Sequence, residues 1–173
     1  MPIGFYRDGF GNVCGRAMDC FAEPVIGRRV APTRWLAYDM VMNSDRLFVY
    51  GTLMRGFDHP MAQLLSRSAD FVGEARCRGR LYLVKHYPGL VLSEDPGEVV
   101  FGELYRLRQP DALLREFDMY EACGEGFAEP TEYLRRMLPV TLSDATAGEA
   151  WTYVYNWPVS GLPRIVTGRF LEN

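Results

Sequence analysis

The chain of 173 residues has a single lysine, Lys85, and only two histidines, His59 and His86. Its positive charge rests almost wholly on scattered arginines, no basic run is present, and the formal net charge is -3. Phosphate backbones are gathered by clustered cations, so this pattern argues against a nucleic-acid partner. No uninterrupted apolar segment nears the roughly 18 residues of a membrane-spanning helix, and no membrane association is expected. The first twenty residues carry Arg7, Asp8, Arg16 and Asp19 among glycines and lack the apolar stretch of a signal peptide. The four cysteines, Cys14, Cys20, Cys77 and Cys123, show no C-x-x-C spacing, and the histidines no H-x-x-x-H spacing. A structural metal site is therefore not expected. A disulfide framework would need a shorter, denser chain. The cysteines read as small core residues of a cytoplasmic protein.

What is present is enough apolar material for one core: 48% of residues are hydrophobic and 13% aromatic. One domain is the expectation at this length. Residues 1–41 differ in texture, with Gly4, Gly9, Gly11, Gly15, Pro2, Pro24 and Pro32 breaking every periodicity. They are expected to be a loosely structured extension or an over-long start, with the compact domain at 42–173. A packed N-terminal arm anchored by Phe5, Phe21 and Trp35 is the alternative.

From Leu47 onward strands dominate. LFVY (47–50) is a short apolar run halted by Gly51, as a buried strand would be. RGRLYLV (78–84) reads as a second strand, ending in the turn signal His86-Tyr87-Pro88-Gly89. EVVFGELYRL (98–107) is a third. YLRRMLPVTL (133–142) and EAWTYVYNW (149–157) form a hairpin around 143–148. A helix is expected over 111–122, opened by Pro110-Asp111 and closed by Gly124, and a short one near 61–66. Many strands with few helices indicate an α+β fold: a small curled mixed sheet or barrel with few flanking helices.

Two features carry chemistry. At about 100° per residue, Leu113, Leu114, Phe117 and Tyr120 share one apolar arc of the 111–122 helix, and Glu121 falls within it. A carboxyl on a dry face is paired or used. Burial and the negative end of the helix dipole both raise its proton affinity, which suits a general acid-base near neutrality. The plainer readings are a helix cap or an ion pair with Arg135. The second feature is VYGTLMRG (49–56). A strand that stops at a glycine exposes consecutive backbone N–H groups, able to hold a carboxylate or a developing oxyanion. Gly51 permits close approach of ligand to backbone. Alone, such a turn is common in any sheet protein.

VYGTL, HYPGLV (86–91), VFGELY (100–105), FDMYE (117–121), EYLRR (132–136) and AWTYVY (150–155), in this order across about 47–171, resemble the γ-glutamylcyclotransferase-like superfamily. The similarity is greatest to its small bacterial members and to γ-glutamylaminecyclotransferases, and it includes the tail PVSGLPRIVTGRFLE. Residues 1–41 lie outside it. The resemblance implies the γ-glutamylcyclotransferase-like fold and a small γ-glutamyl substrate. It implies an intramolecular reaction: the substrate's α-amine attacks its own γ-carbonyl, forms 5-oxoproline and expels an amine or amino acid. Such acyl transfer, lyase-like in outcome, needs no cofactor, no metal and no protein nucleophile.

By position, the resemblance makes Glu121 the acid-base carboxyl, with Phe117 and Tyr120 standing where the family has Leu and Phe. Tyr50, Gly51, Thr52 and Leu53 would cradle the γ-glutamyl group. Tyr133, Tyr105 and Pro88 complete the candidate substrate-binding set, with Arg135 as a structural partner. Glu103, sharing a strand face with Phe101 and Tyr105, is a rival buried carboxyl. Asp118 lies about 60° from Glu121 on the helical wheel, a pair in the manner of a glycosidase. Cys123 lacks a local histidine for thiol catalysis, and His86 stands in a loop at the expected pocket rim. Monomer and homodimer are both open. A non-catalytic module of the same fold, binding a small carboxylate or a protein, is the alternative function.

Overall fold

In a computed structural model, the structure describes residues 45–124 and 126–171. The expectations for residues 1–41, and for Cys14 and Cys20, lie outside the described residues. The chain forms β1 (Arg46–Val49), α1 (Pro60–Ser68), β2 (Ala69–Arg78), β3 (Arg80–Leu83) and β4 (Pro88–Val91). There follow β5 (Val99–Leu107), α2 (Pro110–Tyr120), β6 (Tyr133–Leu142), β7 (Ala147–Tyr155) and the short β8 (Arg164–Ile165). Among the described residues no helix is long and apolar enough to cross a membrane.

Five strands close into a barrel in the order β1-β5-β2-β6-β7, and β4-β3-β8 make a separate small sheet. The neighbours β1 and β5, β5 and β2, β2 and β6, and β6 and β7 are antiparallel. A parallel pairing of β1 with β7, at Leu47 and Trp151, closes the ring. Two hydrophobic clusters explain why LFVY has no polar alternation. Phe48 and Tyr50 join Ala75, Cys77, Val100, Leu104, Val140, Ala150 and Val154, residues drawn from all five barrel strands, so this cluster fills the interior. Leu47 and Val49 point the other way, into a cluster with Leu65 of α1 and Leu113, Leu114 and Phe117 of α2. A strand covered on both faces must be apolar throughout.

β2 departs from the sequence reading, which began its second strand at 78. ADFVGEARCR is a ten-residue strand, with a register shift against β5 between Phe71 and Gly73. Such a bulge, with exposed polar positions alternating beside it, hides the period of two. RGRLYLV then yields the separate strand β3, which turns at Val84–Tyr87 into β4, so Pro88 and Gly89 open a strand instead of making the turn.

Helix α2 also ends earlier than 122. Glu121 is its C-cap, and the N–H of Glu121 still donates to the Phe117 carbonyl at 2.8 Å. Ala122 takes a left-handed φ of 49°. The Cys123 N–H then reaches the Asp118 carbonyl at 2.9 Å and the Ala122 N–H the Met119 carbonyl at 3.4 Å, the two bonds of a Schellman ending. This turn sets the direction in which Glu121 leaves the helix.

Candidate active site

A cavity of about 350 Å³ opens where four segments meet. They are the loop after β1, the turn between β3 and β4, the end of α2, and the start of β6. Tyr50, Gly51, Thr52 and Leu53 line it, together with Phe57, Asp58 and His59 further along the same loop. His86, Tyr87 and Pro88, then Tyr120, Glu121 and Ala122, then Glu132 and Tyr133, with Phe48, Val49 and Tyr153 behind, complete the wall. Its size is that of a small-molecule site.

Glu121 is partly buried at the α2 terminus, and no side-chain hydrogen bond to its carboxyl is made by any described residue. Burial pushes the carboxyl up to about 7, from the usual 4.5, and the negative charge of Glu132 adds to the shift. A carboxyl without a cation or a donor relieves its desolvation by keeping a proton. The result is a group that holds and releases a proton near neutrality.

The loop after β1 is fixed at both ends. At its start the Tyr50 hydroxyl donates to the Tyr153 carbonyl at 2.7 Å and accepts the Leu90 N–H at 3.2 Å. The turn closes with the Met54 N–H on the Gly51 carbonyl at 3.0 Å. At its far end the N–H and Nε of Arg55 both donate to Glu103, each at 2.9 Å. Among the described residues none accepts from the N–H groups of Gly51, Thr52 or Leu53. Three successive donors beside a cavity are the concavity an anion needs. The glycine also answers to a neighbour within the fold. A Cβ on Gly51 would stand 2.7 Å from Cγ of Pro88, so it is the proline ring, packed on the loop, that excludes a side chain.

Tyrosines form much of the wall. The Tyr133 hydroxyl donates to the Pro88 carbonyl at 2.9 Å, and its ring meets Tyr155 edge-on at 5.6 Å. Burial raises the Tyr50 and Tyr133 phenols well above their ordinary value, so both stay protonated. The Tyr87 hydroxyl donates to Glu132 at 2.8 Å. Tyr120 was expected on the buried arc. It is instead 41% exposed and leans on His59, with ring centroids 5.2 Å apart, because the helix ends at that residue and its side chain passes to the cavity rim.

Of the candidate residues, Glu121, Tyr50, Gly51, Thr52, Leu53, Tyr133 and Pro88 come together around this cavity, and so does His86. Tyr105 does not. It is 1% exposed, and its hydroxyl donates to Glu103 at 2.8 Å, because its strand parity directs it into the core under the helices. Glu103 is likewise buried and occupied by Arg55 and Tyr105. Asp118 accepts from the Tyr153 hydroxyl at 2.8 Å and pairs with Arg135 at 3.0 Å. Arg135 therefore braces the helix through Asp118, not through Glu121. Cys123 donates to Asp118, and burial with that carboxylate nearby pushes its thiol up to about 12, leaving it a poor nucleophile. Glu132, Tyr87, Asp58, His59 and Tyr153 line the cavity without having been singled out as ligands. Glu132 in EYLRR, Tyr87 in HYPGLV and Tyr153 in AWTYVY were visible as parts of motifs, whereas Asp58 and His59 lay in none. Among the described residues no three His, Cys, Asp or Glu side chains converge to hold a metal ion.

Known proteins agree with this architecture. The family model described as γ-glutamyl cyclotransferase, AIG2-like, matches residues 47–172. The γ-glutamylcyclotransferase family protein YtfP of Escherichia coli strain K12 is 38% identical over 132 residues, covering 73% of this chain and 96% of the relative. The corresponding protein of Citrobacter rodentium is 36% identical over 131 residues, with the same coverage of 73% and 96%. Among solved structures, an AIG2-like protein from Mus musculus superposes with a TM-score of 0.56 at 26% identity, over 69% of this chain and 84% of that one. The solution structure of E. coli ytfP gives 0.50 at 32% identity, over 73% and 96%. The chain belongs to the γ-glutamylcyclotransferase, AIG2-like family.

Proposed function

We propose that the chain is a γ-glutamylcyclotransferase: it converts a γ-glutamyl compound to 5-oxoproline and releases an amine or amino acid, with Glu121 as general acid-base. One observation carries the reading. A carboxyl poised near neutrality lines the same cavity as three residues whose backbone N–H groups have no acceptor among the described residues.

The chemistry asks little of the protein. The γ-glutamyl chain is held curled so that its α-nitrogen approaches the γ-carbonyl carbon, which turns proximity into most of the rate. The α-ammonium first sheds one proton, which the liberated amine regains in water. The nitrogen lone pair then forms the new C–N bond, and the carbonyl π pair moves onto oxygen. The N–H groups of Gly51, Thr52 and Leu53 meet that oxyanion. Glu121 takes the proton that the attacking nitrogen sheds and passes it to the departing nitrogen. The tetrahedral centre collapses, the old C–N bond breaks, and the five-membered lactam leaves. Tyr50 and Tyr133 exclude water and shape the pocket, and Pro88 presses the loop into position.

The test is 5-oxoproline release from a panel of γ-glutamyl amines and γ-glutamyl amino acids. Wild-type turnover of at least one, lost about 10²-fold or more in Glu121→Gln while ligand binding persists, supports the reading. Binding without turnover by the wild type would make the chain a carboxylate-binding member of the fold instead.

A further inference from the structure

We propose that Glu132 is the anchoring carboxylate for the substrate's α-ammonium group, held in orientation by the Tyr87 phenol beside Glu121; the inference rests on the cyclotransferase reading above. Glu132 sits immediately before Tyr133, where β6 starts. Its carbonyl accepts the Asn156 N–H at 2.8 Å, and β6 pairs with β7 from Tyr133 and Tyr155 onward. Its backbone is therefore anchored. Its Oε1 accepts the Tyr87 hydroxyl at 2.8 Å, while among the described residues no donor reaches Oε2.

The cavity wall contains Glu121, Glu132 and Asp58 and includes neither arginine nor lysine. Its two histidines are His59, whose Nδ1 accepts the Met61 N–H, and His86, and no ion pair joins either to Glu132 among the described residues. Three other carboxylates withdrawn from solvent among the described residues have a cation: Glu103 has Arg55, Glu98 has Arg80 and Arg164, and Asp118 has Arg135. Negative charge withdrawn from water without a cation is costly, and a ligand that brings the cation recovers the cost. A γ-glutamyl compound brings one at its α-ammonium, which is also the reaction's nucleophile.

Two carboxyls then divide the work at one nitrogen. Glu132, turned by Tyr87 towards the cavity, fixes where the nitrogen sits. Glu121, which has no fixed partner among the described residues, takes the proton. Both carboxyls line the one cavity, and the charge of Glu132 adds to the raised proton affinity of Glu121.

L-Glutamate and glutarate differ only in the α-amino group, and neither carries an amide to be cleaved, so they are the matched probes. Calorimetry on the full-length protein should show L-glutamate binding at least about tenfold tighter than glutarate. In Glu132→Gln that preference should collapse to about one, with glutarate bound as well as before or better, since a repelling charge has gone. Tyr87→Phe, which keeps the carboxylate but frees its orientation, should lower the preference severalfold. A preference unchanged in Glu132→Gln, an equal loss of both ligands, or a wild type that binds neither would overturn the proposal. Should the preference behave as expected while wild type releases no 5-oxoproline, the cyclotransferase reading falls and the ammonium anchor stands.

Discussion

Arg55 meets Glu103 twice, once through its backbone N–H and once through Nε, each at 2.9 Å. One buried carboxylate therefore pins both the main chain and the side chain at the far end of the loop that begins at Gly51, and the guanidinium also lies 3.4 Å from the centroid of the Phe71 ring. Glu103→Ala would remove three hydrogen bonds and leave the buried Tyr105 hydroxyl without its acceptor. Denaturant unfolding should show a loss of roughly 2 kcal/mol, tempered because Arg55 is half exposed. Glu103→Gln, which keeps an acceptor, should cost less. Equal stability of Glu103→Ala and wild type would show that the clamp is ornamental.

The contact between Gly51 and Pro88 makes a second prediction. Gly51→Ala places a methyl 2.7 Å from Cγ and 2.9 Å from Cδ of the proline ring, and overpacking of this kind costs about 1–3 kcal/mol. Pro88→Ala removes both atoms. The double variant should therefore recover much of the stability lost by Gly51→Ala, a coupling that a double-mutant cycle measures directly. Additive losses would mean that the loop glycine answers to something other than the ring.

Ala122 occupies the left-handed position of the α2 ending with φ at 49°. An L-residue with a Cβ is disfavoured there by roughly 1 kcal/mol, and glycine is not. Ala122→Gly should stabilise the protein by about that amount in thermal or denaturant unfolding. Destabilisation would show that the methyl group, which lines the cavity, makes contacts worth more than the strain.

Glu121 links the site to folding. Its carboxyl rises from 4.5 to about 7 in the folded protein. The folded state therefore binds more protons than the unfolded one between these values, and stability falls as pH rises through that window. The full penalty above pH 7 is on the order of 3 kcal/mol. Glu121→Gln has no such penalty. It should be more stable than wild type at pH 8 and nearly equal to it at pH 4, as unfolding at the two pH values would reveal. An advantage that does not change with pH would place the carboxyl in water.

How much of this was legible before the fold was known depends on where each signal was stored. The apolar run of β1, the alternation of β7 and the four apolar positions of α2 are local patterns, and they mark elements within a residue or two. β2 was not legible from its pattern alone, because its bulge breaks the alternation. Glu121 was placed by extending the helical wheel past the last helical residue. It reached the cavity through a cap with left-handed geometry, which no wheel describes. Tyr105 looked like a ligand-facing aromatic because parity names a face without saying what covers it; here α2 does. Pairings such as Asp118 with Arg135, or Tyr87 with Glu132, join segments 17 and 45 residues apart, and only the packing of helix and small sheet against the barrel brings them together.

The most direct measurement of the central claim is the pH dependence of kcat/KM for 5-oxoproline release, in wild type and Glu121→Gln. Wild-type activity should climb with pH and inflect near 7 as the Glu121 carboxyl ionises, and the variant should lose that inflection along with about 10²-fold or more of the rate. A variant as active as wild type, with the same profile, would contradict the role of Glu121.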